Sequence, residues 1–362
     1  MKVSFPYMGP VTAYRKLFEQ LGYEVIVPPR PTQRTVELGA KNSPEFACFP
    51  FKVLMGSYIE ACELGAELIF SSGGHGPCRA GFYGEIHARN LKNLGYQAEV
   101  VIFDEPLYNW KGFYNNVKRL KGDNSFFRLL RATFLTYRVM SELDKCERLL
   151  HRISPYQRKA GSAEKAWLLI QKEYANVFNG KGLALARSKT EEIIKEIELS
   201  KVEERDRIKI GIIGEIYVVL EPSINMGIEN ILNDLGCETE RSQYLSEWVD
   251  YMLIPGKGKK EKGIMAKAEK YIDIVIGGHA KQNIGHIIDF KERGFDGIVH
   301  LKPFACLPEL VTESIIPEMS RVYDIPILTL SLDEQSGLTN NLTRIEAFVD
   351  LIRKKDRARH IS

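Results

Sequence analysis

The sequence predicts an α/β protein with two parallel-sheet domains and an intervening helical segment. Three observations carry this. Short β-rich runs alternate with helical patterns of about 10–15 residues at both ends of the chain, the grammar of a parallel sheet covered by helices on both faces. A long central stretch carries helical periodicity alone. The chain has 362 residues, more than one hydrophobic core usually serves. The expected divisions are 1–110 for the first α/β domain, 111–205 for the helical segment and 206–362 for the second α/β domain.

The first strand is KVSFPY. VTAYRKLFEQLG is a helix closed by Gly22, because glycine accepts the left-handed conformation that follows a helix end. EVIVPP is a second strand, ended by its prolines. A helix from Phe51 to Glu63 has Pro50 at its first turn, where a missing N–H is tolerated. AELIFSS is the third strand, and the glycine-rich loop SGGHGPCRAG follows it. A helix from about Phe82 to Leu94 and the strand AEVVIFDEP complete the domain.

Between 111 and 205, FFRLLRATFLTYRVMSELDKCERLLHRI and AEKAWLLIQKEY place apolar residues at helical spacing, and KTEEIIKEIEL is the last helix. The α/β pattern resumes with RIKIGIIGEIYVV, a strand running into a loop. MGIENILNDLG and NIGHIIDFKERG are helices stopped by glycine, and YIDIVIGG and FDGIVHLKPF are strands. A helix begins near Pro308, IPILTLSLDEQSG is the last strand with its loop, and RIEAFVDLIRKK is the closing helix. No close repeat of motif joins the two halves, although both share the strand–loop–helix order.

Apolar residues are 44% and charged residues 27%, an ordinary soluble composition. The net charge is +3 with Lys and Arg spread along the chain, which argues against nucleic acid as the main partner. The N-terminus lacks the apolar run of a signal peptide, and no apolar run reaches about 18 residues. A cytoplasmic location without a membrane partner is therefore expected. Six cysteines are too sparse for a disulfide scaffold. Reduced thiols are then free to act as core residues, nucleophiles or metal ligands.

The six separate into two groups. Cys48 in SPEFACFPF, Cys78 in GGHGPCRAG and Cys306 in LKPFACLPEL each stand beyond a strand end or at a helix entrance. Open α/β sheets bind ligands at that edge, and helix N-termini favour thiolate over thiol. Three convergent soft donors among glycines and prolines suit a metal. The plainer reading, three buried apolar thiols, is opposed by the polar, Gly-rich surroundings of Cys78. Cys62 shares a helix face with Met55 and Ile59, and Cys146 with Leu143 and Leu150, so both read as core thiols. Cys237 follows Gly236, begins a strand and reads as structural. Two metals remain open. With His75 as fourth ligand the three cysteines make a Cys₃His zinc site. Zinc sites usually use closely spaced cysteine pairs, so the wide separation favours an iron–sulfur cubane, with His75 donating to sulfur from outside.

EFACFPFK, GPCRAGFY, GEIYVVLEP, GIVHLKPFACLPE and LDEQSG…TRIEAFVD together resemble the family of 2-hydroxyacyl-CoA dehydratase and benzoyl-CoA reductase subunits. Among its members the chain is most similar to the stand-alone acyl-CoA dehydratase activase-related proteins. The resemblance runs from Tyr7 to Arg353, and the three cysteine contexts are its most specific part. It implies two flavodoxin-like α/β domains with a helical portion. It also implies a 4Fe–4S cluster in the cleft between them, held by Cys48, Cys78 and Cys306, with one iron not bound by cysteine. Some relatives hold a double-cubane cluster on more cysteines. If Cys62, Cys146 and Cys237 are core residues, that alternative needs ligands from a second chain, as in a homodimer.

The resemblance further implies a partner, an ATP-hydrolysing iron–sulfur activator that injects a low-potential electron. This chain shows no G-x-x-x-x-G-K-S/T pattern, and its glycine loop surrounds a cysteine rather than a phosphate-binding lysine. It reads as the electron acceptor. The implied activity is anaerobic reductive chemistry or dehydration on an acyl-CoA-like or other small substrate. Candidate catalytic residues are His75 and Arg79, which flank Cys78; Glu215, with Tyr217, in GEIY after a strand; and His279 and Lys281 in the strand-end loop GGHAKQ. Glu334 in LDEQSG is a candidate for fixing its loop. Three other classes stay open: an electron-transfer or assembly module without its own substrate, a zinc-bearing structural or binding protein, and a non-metal α/β enzyme.

Overall fold

A computed structural model of the chain describes residues 1–73, 77–103, 109–203, 206–254 and 256–361. The chain forms two compact units. Unit 1 comprises Met1–Leu143, Gln171–Arg187 and Ile276–Gly278; unit 2 comprises Asp144–Ile170, Ser188–Val275 and His279–Ser362. The helical residues 111–205 are thus shared between the units. Among the described residues no helix is long and apolar enough to cross a membrane.

Unit 1 begins with β1 (Lys2–Ser4), α1 (Val11–Gln20), β2 (Glu24–Val25), α2 (Gln33–Lys41) and α3 (Phe49–Glu63). It continues through β3 (Leu68–Ser72), a 3₁₀ turn at Arg79–Phe82, α4 (Tyr83–Asn93) and β4 (Glu99–Phe103). All pairings are parallel, in the order β2-β1-β3-β4. Both faces of this sheet are buried, which explains the unbroken apolar run in β3. Leu68 and Phe70 pack with Val3, Phe5, Phe18 and Val101 on one side. Ile69 points the other way, onto Met55, Tyr58, Ile59 and Leu91. α5 (Trp110–Lys121), α6 (Phe126–Ile153), α7 (Ser162–Ala175) and α8 (Gly180–Lys195) follow, α6 and α7 over the two runs of helical periodicity.

Unit 2 holds β5 (Ile208–Gly214), α9 (Ile216–Leu220), α10 (Ile228–Asp234), β6 (Cys237–Arg241), α11 (Leu245–Leu253) and α12 (Lys259–Lys267). Then come α13 (Ala280–Glu292), β7 (Gly297–Pro303), α14 (Leu307–Val322), β8 (Ile327–Leu332) and α15 (Leu338–Ile361). Its sheet is also parallel, in the order β6-β5-β7-β8. Numbered within each unit, both sheets read second, first, third, fourth. That is the order of the first four strands of a flavodoxin-like sheet, with its switch point between first and third strands.

Four local expectations change. Gln33–Lys41 is a helix that the sequence reading passed over. After β5 the chain enters α9 rather than a loop, because the Glu215 side chain caps Tyr217 and Val218. α11 and α12 fill residues that showed no clear pattern. YIDIVIGG, expected as a strand, forms turns and bends. β5 already pairs with β6 on one side and β7 on the other, so no interior position is open. Gly277 and Gly278 take positive φ, and Ile274 and Val275 stay exposed.

Candidate metal centre

Cys48, Cys78 and Cys306 occupy one kind of backbone position, the half-helical residue before a helical turn. Cys48 precedes α3 (φ −68°, ψ 156°), Cys78 precedes the 3₁₀ turn (φ −66°, ψ 125°) and Cys306 precedes α14 (φ −81°, ψ 110°). None of the three thiols caps its helix. Ser, Thr, Asp or Asn there stabilises a helix by about 1 kcal/mol relative to a residue that does not cap. Three helical segments thus begin on a sulfur that leaves the helical N–H groups to other partners. Cys48 and Cys306 are buried and Cys78 is half-buried. Such soft donors fit iron–sulfur or zinc chemistry.

The fold places them at the ligand-binding edge of each sheet. Cys78 follows β3 and Cys306 follows β7, the third strand of its sheet in each case. Cys48 starts the helix that leads into β3. Helices of this kind run antiparallel to the strands, so the α3 N-terminus lies at the same carboxyl edge.

In unit 1 the Cys48 and Cys78 segments are tied together. The Cys48 sulfur hydrogen-bonds the Tyr83 hydroxyl. Arg79 Nη1 donates to the Phe46 carbonyl over 2.7 Å. Candidate Arg79 therefore joins the two cysteine segments. Phe51, in the first turn of α3, packs edge-on against Tyr83 (4.9 Å) and stacks on His87 (4.1 Å). His87 Nε2 donates to the Phe51 carbonyl over 3.0 Å, and burial pushes its pKa down to about 4. A neutral imidazole thus backs the Cys48 turn. His75 lies outside the described residues.

In unit 2, Cys306 follows Ala305, whose φ of +59° is unusual for a residue with a side chain. Around the same edge, Glu215 Oε2 accepts from Tyr217 N (3.0 Å) and Val218 N (3.2 Å). Burial pushes the Glu215 carboxyl up to about 7, with the Glu309 charge adding to the shift. His279 stands just before α13; burial lowers its pKa, while the Glu309 carboxylate draws it back up. Lys281 is occupied: its buried ammonium pairs with Glu269 at 2.5 Å and donates to the Asp273 carbonyl at 3.0 Å. Within neither unit do three or more His, Cys, Asp or Glu side chains gather as a metal site among the described residues.

The remaining cysteines behave as core thiols. Burial pushes Cys62 up to about 11 and Cys237 up to about 12, so both stay protonated at neutral pH. Cys146 is buried in α6. Three features escaped the sequence reading: Tyr83 on Cys48, the buried pair His300–Glu309, and an exposed phenylalanine near each candidate cysteine. Phe46, Phe82 and Phe304 expose 72%, 68% and 51% of their surface. The repeated spacing of Phe to Cys in EFAC and PFAC was the available signal.

Residues 3–71 match the family described as the CoA enzyme activase uncharacterised domain (DUF2229). The matched stretch contains Cys48 and ends within β3, before Cys78. No curated protein matches the chain. The partial match links the chain in a broad sense to proteins related to CoA-enzyme activases.

Proposed function

We propose that this chain is an iron–sulfur protein that accepts a low-potential electron from an ATP-hydrolysing activator and delivers it to a small, acyl-CoA-like substrate. Its thiolate ligands are Cys48 and Cys78 of unit 1 and Cys306 of unit 2. The carrying observation is the placement of all three at non-capping helix starts on the carboxyl edges of two sheets of identical strand order. The partial match to a CoA-enzyme-activase domain supports an ATP-driven, redox-linked setting. A 4Fe–4S cluster supplies a one-electron store whose potential depends on its hydrogen bonds and exposure.

The chain's own groups have definite tasks in this reading. Tyr83 holds the Cys48 sulfur, and Arg79 holds the Cys78 segment against the Cys48 segment through Phe46. Phe46, Phe82 and Phe304 supply apolar surface that sheds water when substrate or activator covers it. Glu215, with a carboxyl near neutrality at the edge of unit 2, holds or yields a proton in the physiological range.

The test is anaerobic purification with metal and acid-labile sulfide analysis. About four irons and four sulfides per chain are expected, with Cys306→Ser losing most of them. Stoichiometric zinc in colourless, oxygen-stable protein would falsify the reading. About eight irons per chain would instead indicate a double cubane.

A further inference from the structure

Three side chains at the carboxyl edge of the unit 2 sheet are fully withdrawn from water: Asn283 on α13, His300 on β7 and Glu309 on α14. They form one network. His300 Nε2 donates to Glu309 Oε2 over 2.8 Å, which leaves its Nδ1 3.2 Å from the Thr329 hydroxyl. Asn283 Nδ2 lies 3.0 and 2.9 Å from the two Glu309 oxygens. The same amide grips the end of β5, with Nδ2 donating to the Gly214 carbonyl (3.1 Å) and Oδ1 accepting from the Gly214 N–H (3.2 Å). Gln243 Nε2 donates to that carbonyl as well, over 2.7 Å. β5 and β7 approach closely here: a Cβ on Gly214 would stand 2.2 Å from the Leu301 carbonyl oxygen.

A buried carboxylate is costly, and an apolar residue of similar size would often stabilise the fold more. Glu309 therefore needs a reason beyond stability. It is the third residue of α14, where a glutamate commonly turns back to accept from the N–H of the residue before the helix. The Cys306 N–H donates to the Pro303 carbonyl instead (3.2 Å), and Glu309 turns inward to β7 and α13. His300 and Glu309 thus clasp the base of the segment that carries Pro303, Phe304, Ala305 and Cys306. Within it Ala305 holds φ +59°, a conformation that persists only where its surroundings enforce it.

We propose that Glu309, acting through His300 and Asn283, is a positioning residue that locks the Cys306 turn in the conformation that presents its sulfur. The use of Cys306 as a ligand rests on the function proposed above; the lock is a property of the metal-free chain and is testable there.

The experiment is iodoacetamide alkylation of the metal-free, reduced chain, followed peptide by peptide with mass spectrometry. Cys306 is buried and Cys237, on β6 of the same unit, is its internal reference. Glu309→Gln should speed Cys306 alkylation roughly tenfold, as a local opening does, and leave Cys237 within about twofold. His300→Gln, which retains a donor toward Glu309, should keep Cys306 protection within about twofold of wild type. If Glu309→Gln does not fold, His300→Ala serves in its place, with the same selective release of Cys306 expected. Equal acceleration at Cys306 and Cys237 would assign Glu309 to general stability and overturn the proposal. An unchanged Cys306 rate in a folded variant would overturn it too. Iron and sulfide contents decide the function separately, since the alkylation pattern stands or falls without metal.

Discussion

Glu215 shows how much one side chain depends on its surroundings. In sequence it is an ordinary carboxylate after a strand. In the fold it caps α9, and burial together with the nearby Glu309 pushes its carboxyl from 4.5 up to about 7. A carboxyl raised in this way binds its proton more tightly in the folded state. Its stabilising contribution is complete below pH 4.5 and is lost as pH rises through about 7. Glu215→Gln should therefore gain stability relative to wild type between those limits, reaching on the order of 2 kcal/mol at pH 8. Urea unfolding at pH 5 and pH 8 measures this, and parallel behaviour of the two proteins would contradict it. The helix-start positions of Cys48, Cys78 and Cys306, by contrast, were legible from local context alone, because helix starts and strand ends leave marks within a few residues. Tyr83 and the His300–Glu309 pair were not, since their partners depend on how α4 and α14 pack.

At the scale of elements, the clearest lesson is α2. Its sequence QRTVELGAK contains a glycine and few apolar residues, so intrinsic propensity and hydrophobic content alone do not secure a helix. Tertiary contacts hold it. Thr35 Oγ1 accepts from Thr32 N (3.0 Å) and donates to Glu60 of α3 (2.7 Å), and Arg34 pairs with Glu60 and Glu63 (2.8 and 2.7 Å). The helices touch through glycines: a Cβ on Gly39 would stand 1.7 Å from the Lys52 carbonyl oxygen, and one on Gly56 would stand 1.8 Å from that of Thr35. Backbone cannot yield as a side chain end can. Gly39→Ala should cost about 3 kcal/mol or more in thermal or urea unfolding, at or beyond the usual range for overpacking. Because α3 begins at Cys48, the same variant should also weaken protection of that thiol. The failed strand at YIDIVIGG is the converse case. Its pattern is right, but β5 and β7 are already neighbours, and pairing geometry overrules propensity.

At the scale of the molecule, stability is unevenly distributed, and magnitudes show where. Arg241 of β6 is 1% exposed and lies among Glu147, Glu229 (3.4 Å) and the Tyr244 ring (5.0 Å). Removing a buried ion's partner leaves its counter-charge stranded. Arg241→Ala should therefore destabilise unit 2 by about 3–5 kcal/mol. The exposed pair of Arg119 with Glu99 in unit 1 is a useful contrast, and Arg119→Ala should cost less than about 1 kcal/mol. Denaturant titrations of both variants test this ranking. The two sheets also share a strand order that makes Cys78 and Cys306 topologically equivalent, each after a third strand. Cys48 and His279 are likewise equivalent, each preceding the helix that leads into that strand.

The sequence by itself determined the α/β class, the parallel runs of strands, the helical middle and the positions of Cys48, Cys78 and Cys306 at helix starts. These follow from periodicity, glycine and proline placement and local polarity, all of which act over a few residues. Tertiary structure alone decided the strand order, the division of the helical residues between two units, and the inward turn of Glu309 to His300 and Asn283. Those outcomes depend on which segments bury which faces, and pairwise packing across long stretches of chain leaves no local mark. The topological kinship of Cys78 and Cys306 was hidden for the same reason: the halves repeat in strand order rather than in residues.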